Sequence, residues 1–333
     1  MAKHGAFAAA LVVGLLAAIP AAVESIGVCY GVNGDRLPSA SEVVQLYKSN
    51  GITGMRVYNV NDNTRPEGPE RQQPRPHPRH RQHTAQCPRF QRLQRGHVGQ
   101  LVKANVQSQQ GLAIKYIAVG NEVPNQGGNT ADILPAMKNI QAALVRAGLG
   151  GIKVSTAVHS GVTQGFPPSQ GTFSAAHMPP IAQYLASIDS PLLANIYPYI
   201  SFKGTPSIDI KYALFTAPGT VVTDGRNSYQ NLFDALIDTM YSALESAGAG
   251  SVPIVVSESG WPSAGDLDAT AANARTYNQN LINHVGKGDP KKPGAIEAYI
   301  FAMFNENLKG GLETEKHFGL FNADKSPAYS INF

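Results

Sequence analysis

Three apolar runs of this chain end on a carboxylate. "AVGNEV" ends one run on Asn121 and Glu122, "VVSESGWPS" ends another on Glu258, and "FAMFNEN" ends a third on Glu306. A lone Glu after a strand is more often one half of a loop ion pair. Two of them, one beside Asn and one beside Ser-Gly-Trp-Pro, at the ends of separate apolar runs, suit a reaction that needs an acid and a base in one cleft. Cleavage of a glycosidic bond is such a reaction. One carboxylic acid protonates the leaving oxygen, and one carboxylate attacks or supports the oxocarbenium-like centre. Burial and mutual repulsion would keep one group protonated and the other ionised.

The elements that must present these groups alternate along the chain. Strand-like runs lie at Ile26–Gly31, Gly54–Asn59, Ile114–Glu122, Ile152–Val158, Leu192–Tyr199, Val252–Trp261 and Ile296–Asn307. They are continuous and rich in β-branched and aromatic residues, as strands of a parallel sheet covered on both faces should be. Between them, "SASEVVQLYKSNG" has a Ser start and a Gly stop, and "DILPAMKNIQAALVRAGLG" and "YQNLFDALIDTMYSALESAG" carry apolar residues at helical spacing. Alternating strand and helix over this length predicts an α/β fold, a (β/α)8 TIM barrel. The runs number seven, whereas the barrel needs eight strands. The interval between the second and third runs is about double the usual one, so the third strand–helix unit is missing there. With that unit restored, Glu122, Glu258 and Glu306 end strands four, seven and eight. In such barrels the reacting groups stand at the carboxyl ends of the strands.

"IVVSESGWPSAG" closely resembles the signature of plant β-1,3-glucanases, glycoside hydrolase family seventeen. The resemblance continues through "IGVCYGVNG", "GITGMRVY", "IKYIAVGNEV", "LLANIYPY", "AYIFAMFNEN" and "FGLFNADKSPAYSINF". It implies a retaining endo-hydrolase of β-1,3-glucans, with Glu258 as nucleophile and Glu122 as general acid/base. Asn121 would hold a sugar 2-hydroxyl. Glu306, Lys309 and Glu315 match a charged cluster beside the site, and Glu315 is the alternative for the acid. Tyr58, Tyr199, Trp261 and Phe304 are candidates for sugar stacking, each weighed against a place in the core. A related β-1,3-1,4-glucanase activity is the alternative within the same chemistry. No cofactor or metal is expected, and the expected partner is a β-glucan polysaccharide bound by a monomer.

The resemblance fails over Arg65–Gln100, which holds eight Arg, six Pro and four His. With eight Arg against two Glu it carries +6, and the remaining 19 basic and 21 acidic side chains leave −2. The basicity is therefore local and describes no general anion-binding surface. Arg without Lys, with scattered Pro and behind an export leader, argues against a nucleic-acid partner. Pro, His and Arg codons read one nucleotide later convert Pro74–His80 into a possible Leu-Asp-Leu-Ile-Leu-Asp-Ile, an apolar strand. The stretch is thus expected to be out of frame, opened and closed by compensating single-nucleotide changes, which resequencing of codons 65–100 would decide. Translated as written, it cannot supply a central strand. The two neighbouring strands would be left as open edges, giving a folding-impaired chain that binds glucan without cleaving it.

The N-terminus places Lys3 and His4 before the apolar run Phe7–Pro20 and small residues after it, the order of a secretory leader over residues 1–25. Residues 26–333 would then form one barrel domain, exported and free of the membrane. The absence of a long apolar C-terminal extension points to the apoplast or cell wall. Cys29 and Cys87 are the only cysteines, too few to imply a disulfide framework.

Overall fold

A computed structural model describes residues 13–17, 26–58, 113–125 and 127–333. The Arg65–Gln100 stretch lies outside the described residues. The barrel strands are β1 (Val13–Ala17), β2 (Gly27–Tyr30), β3 (Gly54–Val57), β4 (Ile114–Asn121), β5 (Lys153–His159), β6 (Leu192–Asn195), β7 (Ile254–Ser259) and β8 (Ala298–Ile300). They close in the order β1-β3-β2-β8-β7-β6-β5-β4. All seven strands expected from the apolar runs are present, with ends shifted by a few residues. From β4 round to β3 every pairing is parallel. In β6 and β7 every residue is buried, because helices cover one face and the barrel interior fills the other.

The expected opening between β3 and β4 is where the structure departs from the sequence reading. That place is taken by β1, which runs antiparallel to both neighbours, Leu16 pairing with Arg56 on one side and Tyr116 on the other. The edges therefore are not left unpaired. A sheet edge binds any extended segment that can supply its missing ladder, and here the segment comes from the far N-terminus, within the run read as a leader.

The helices stand where their termini predict. Helix α1 (Ala40–Ser49) starts at a capping box, Ser39 accepting from the Glu42 N–H while the Glu42 side chain accepts from the Ser39 N–H. It stops before Gly51, whose φ of +71° ends the turn. Helices α2 (Ile133–Arg146), α3 (Met178–Ser187), α4 (Pro198–Gly204), α5 (Leu232–Ser246) and α6 (Ala271–His284) follow. Asn231 and Thr270 cap α5 and α6 through their side chains. At the amino-terminal end of the barrel Tyr299 fills the interior over Gly27. A Cβ on Gly27 would lie 2.4 Å from that ring. Glu297 gathers Lys115, Tyr116 and Tyr299 there, so this end is a plug.

One buried acid pair ties α5 to the loop after α6. Asp238 and Asp289 are buried side by side, both accept from the Lys291 N–H at 3.1 Å, and Asp238 Oδ1 and Asp289 Oδ2 have no hydrogen-bond partner among the described residues. Burial, and then the neighbouring Asp289, push the Asp238 carboxyl up to about 9, with the Tyr229 hydroxyl opposing. Lys291 and Lys292 pair outward with Glu245, and Asp234 is taken up by His284. The folded chain thus holds a proton that the unfolded chain releases in the ordinary carboxylate range. Stability should fall as pH rises from about 4 through neutrality, by up to about 1.4 kcal/mol per unit. Asp238→Asn should flatten this slope and raise the melting temperature at pH 7, as read by thermal unfolding from pH 5 to 8.

Candidate active site

The carboxyl ends of the strands surround a cleft of about 520 Å³ whose lining includes Asn121, Glu122, Tyr197, Glu258, Glu306 and Lys309. Both expected catalytic carboxyls enter it at local breaks in the sheet. On β4 the register against β5 shifts between Ala118 and Asn121. The strand ends in Gly120 at φ +83° and Glu122 at φ +46°. A left-handed backbone at a Glu is uncommon and carries strain. It is held by the Glu122 N–H bond to the Ala157 carbonyl at 2.9 Å. On β7 the register against β6 shifts between Val256 and Glu258. Such shifts re-aim a side chain next to an active site.

Glu258 is 6% exposed and receives three donors. Tyr58 Oη donates to Oε1 at 2.8 Å, Tyr197 Oη to Oε2 at 2.8 Å, and the Arg56 guanidinium Nη1 lies 2.8 Å from Oε1. Burial pushes the Glu258 carboxyl up, and Glu122 adds to this. Arg56 and the two tyrosine hydroxyls oppose, leaving the group above its ordinary range. A carboxylate that attacks must be ionised, so if Glu258 is that group activity should fall as pH drops through its raised range. Tyr58→Phe or Tyr197→Phe removes a bond to the charged form and should move the acid limb of kcat/KM upward by about one pH unit. A pH–rate profile checks this.

Glu122 accepts from Asn195 Nδ2 at Oε1 (2.8 Å) and from Asn125 Nδ2 at Oε2 (3.4 Å). Asn121 Oδ1 is occupied by Arg56 Nη2 at 2.8 Å and Asn195 Nδ2 at 3.0 Å. That leaves its own amide N–H as the group available to a sugar. Glu306 is buried and accepts from the Asn33 N–H at 3.0 Å. It reaches the cleft only because residue 31 is Gly, where a Cβ would fall 2.2 Å from Oε1. Lys309 pairs with Glu315 at 2.9 Å, stands 3.9 Å from Glu306 and lies 4.5 Å over the Phe301 ring.

Tyr58 faces the cleft as expected, but as a donor to Glu258. Tyr199, Trp261 and Phe304 do not line it. Tyr199 packs edge-on against Trp261 at 5.0 Å, and the Trp261 indole N–H donates to the Asp268 carbonyl. Phe304 packs against Tyr30. All three are buried core residues, held by aromatic neighbours on their own side of the fold. The aromatics of the cleft are Tyr58, Tyr197, Phe301 and Phe318. Arg56, Asn195 and Tyr197 are site residues the sequence reading passed over. Their signal was present: Arg56 in "GMRVY" and Asn195 in "LLANIYPY" are strongly polar residues inside apolar runs, and a buried polar group needs partners. Among the described residues no group of three or more His, Cys, Asp or Glu is placed to hold a metal ion.

A closed α/β barrel with a carboxyl pair at the ends of β4 and β7 is the frame of a glycosidase. Residues 90–333 match the model of glycosyl hydrolases family 17, and the chain belongs to that family. The match begins inside the Arg-rich stretch. Among curated relatives, the acidic isoform of glucan endo-1,3-beta-glucosidase from Zea mays is 59% identical, with all of both chains covered. Glucan endo-1,3-beta-glucosidase GII from Hordeum vulgare is 53% identical over 98% of this chain and 97% of its own. A solved structure described as one of two plant beta-glucan endohydrolases with distinct substrate specificities superposes with a TM-score of 0.81. It is 45% identical over 92% of this chain and 100% of its own.

Proposed function

We propose that the protein is a retaining endo-hydrolase of β-1,3-glucosidic linkages, with Glu258 as nucleophile and Glu122 as acid/base. The arrangement around Glu258 carries the reading. Arg56 and two hydroxyls hold its charge for attack on the anomeric carbon, while Glu122, with no guanidinium partner among the described residues, can carry a proton to the leaving oxygen. Attack by Glu258 expels the aglycone as Glu122 protonates it. Glu122 then takes a proton from water, which displaces Glu258. Asn121 offers its amide to the sugar. The β-1,3 linkage is supported by relatives named glucan endo-1,3-beta-glucosidase; a relative from Hordeum vulgare named Lichenase-2 is 48% identical, below the 59% of the Zea mays protein.

Laminarin should be cut internally, giving short oligosaccharides whose new reducing ends appear first as the β-anomer by proton NMR, and faster than mixed-linkage glucan. An initial α-anomer would overturn retention, and a preference for mixed-linkage glucan would overturn the linkage. The proposal extends to export. No helix among the described residues is long and apolar enough to cross a membrane, and the N-terminal run has the order of a leader. N-terminal sequencing of secreted protein is expected to start at Ile26. An intact leader on the secreted chain would remove that part.

A further inference from the structure

Between the two carboxyls lies a buried amide whose orientation is fixed from behind. Asn195, on β6, is 1% exposed. Its Oδ1 accepts from Arg56 Nη1 at 3.1 Å and from Ser257 Oγ at 2.8 Å. Turning the amide over would set its N–H groups against a guanidinium that has no acceptor capacity. Nδ2 is therefore committed to the other side, where it donates to Glu122 Oε1 at 2.8 Å and Asn121 Oδ1 at 3.0 Å.

From this geometry we infer that Asn195 is a positioning residue that decides which oxygen of Glu122 carries the transferable proton. An oxygen that receives an N–H at 2.8 Å is held as an acceptor, so the proton of the acid form resides on Oε2. Among the described residues the one hydrogen bond there, from Asn125, is long at 3.4 Å, which leaves Oε2 to give its proton to the leaving group. After transfer, the same Asn195 bond stabilises the carboxylate that must act as base in the second step. Because Arg56 also holds Glu258, the chain Glu258–Arg56–Asn195–Glu122 sets the nucleophile and the acid from one rigid group. The inference rests on Glu122 being the acid/base, and the test separates the two.

The experiment compares kcat/KM on laminarin with that on 2,4-dinitrophenyl β-laminaribioside, whose leaving group needs no protonation. Parent enzyme, Asn195→Leu, Asn195→Asp and Glu122→Gln are measured across pH. The Asp variant is isosteric, keeps the Arg56 and Ser257 partners, and replaces the donor to Glu122 and Asn121 with a charged acceptor. It therefore serves if the Leu variant does not fold. Both Asn195 variants should lose about 100-fold on laminarin and no more than about threefold on the activated substrate. Equal losses on both substrates would show a merely structural role and overturn the inference. Equal losses on both substrates in Glu122→Gln would instead overturn the acid assignment itself.

Discussion

Glu258→Gln is expected to abolish laminarin hydrolysis, lowering kcat by about 10⁴-fold or more while the melting temperature stays near that of the parent. The amide keeps the shape of the side chain and can still bond Tyr58 or Tyr197, but it cannot form the glycosyl ester. The companion test is rescue. In Glu258→Ala the vacated space admits azide, which attacks the anomeric carbon directly and should yield an α-glycosyl azide from the dinitrophenyl substrate. In Glu122→Ala the covalent intermediate still forms, and azide replaces water in the second step to yield a β-glycosyl azide. The two anomers report the two roles independently of rate. A β-azide from the Glu258 variant, or parental activity in Glu258→Gln, would exclude Glu258 as nucleophile.

Arg56 carries the second large effect, because it serves fold and chemistry at once. It is 1% exposed and bonds the Ser257 carbonyl at 2.7 Å in addition to Glu258, Asn121 and Asn195. Arg56→Leu strands the Glu258 charge in the barrel interior, and loss of one partner of such a pair costs about 3–5 kcal/mol. Urea unfolding should show that loss, and kcat should fall by about 10²- to 10³-fold as the carboxylate is pushed towards its neutral form. Arg56→Lys should recover little activity. A single ammonium cannot reach β4, β6 and β7 in the planar fork a guanidinium provides. Adding Glu258→Leu to Arg56→Leu should restore part of the stability, because the orphaned charge is gone. A double variant less stable than Arg56→Leu alone would show that packing, not charge, accounts for the cost.

The two carboxyls were legible because each closes an apolar run, and in a parallel barrel the end of a run is the mouth. Seven strands were legible for the same reason. What surrounds the carboxyls was not, and the aromatics show why. Tyr197 and Tyr199 stand two residues apart in "LLANIYPY", yet one donates to Glu258 and the other packs on Trp261. The chain passes from strand into α4 between them, so strand alternation no longer says where a side chain points. Arg56 and Asn195 were hidden differently. Each reads as an exception within an apolar run, and only the closed sheet shows that the exceptions from β3 and β6 meet. The eighth strand had no signal that periodicity could use, since β1 is antiparallel and comes from outside the repeating order.

That strand places two demands on the same residues. Val13–Ala17 completes the ladder of β3 and β4 only while joined to the chain, and a leader ending near Ser25 would be cut away with it. Export and barrel closure would then compete for one segment, and its removal would take from β3 and β4 the neighbour they share among the described residues. Proteolytic maturation would in that case act on the wall of the barrel as well as on the address of the enzyme.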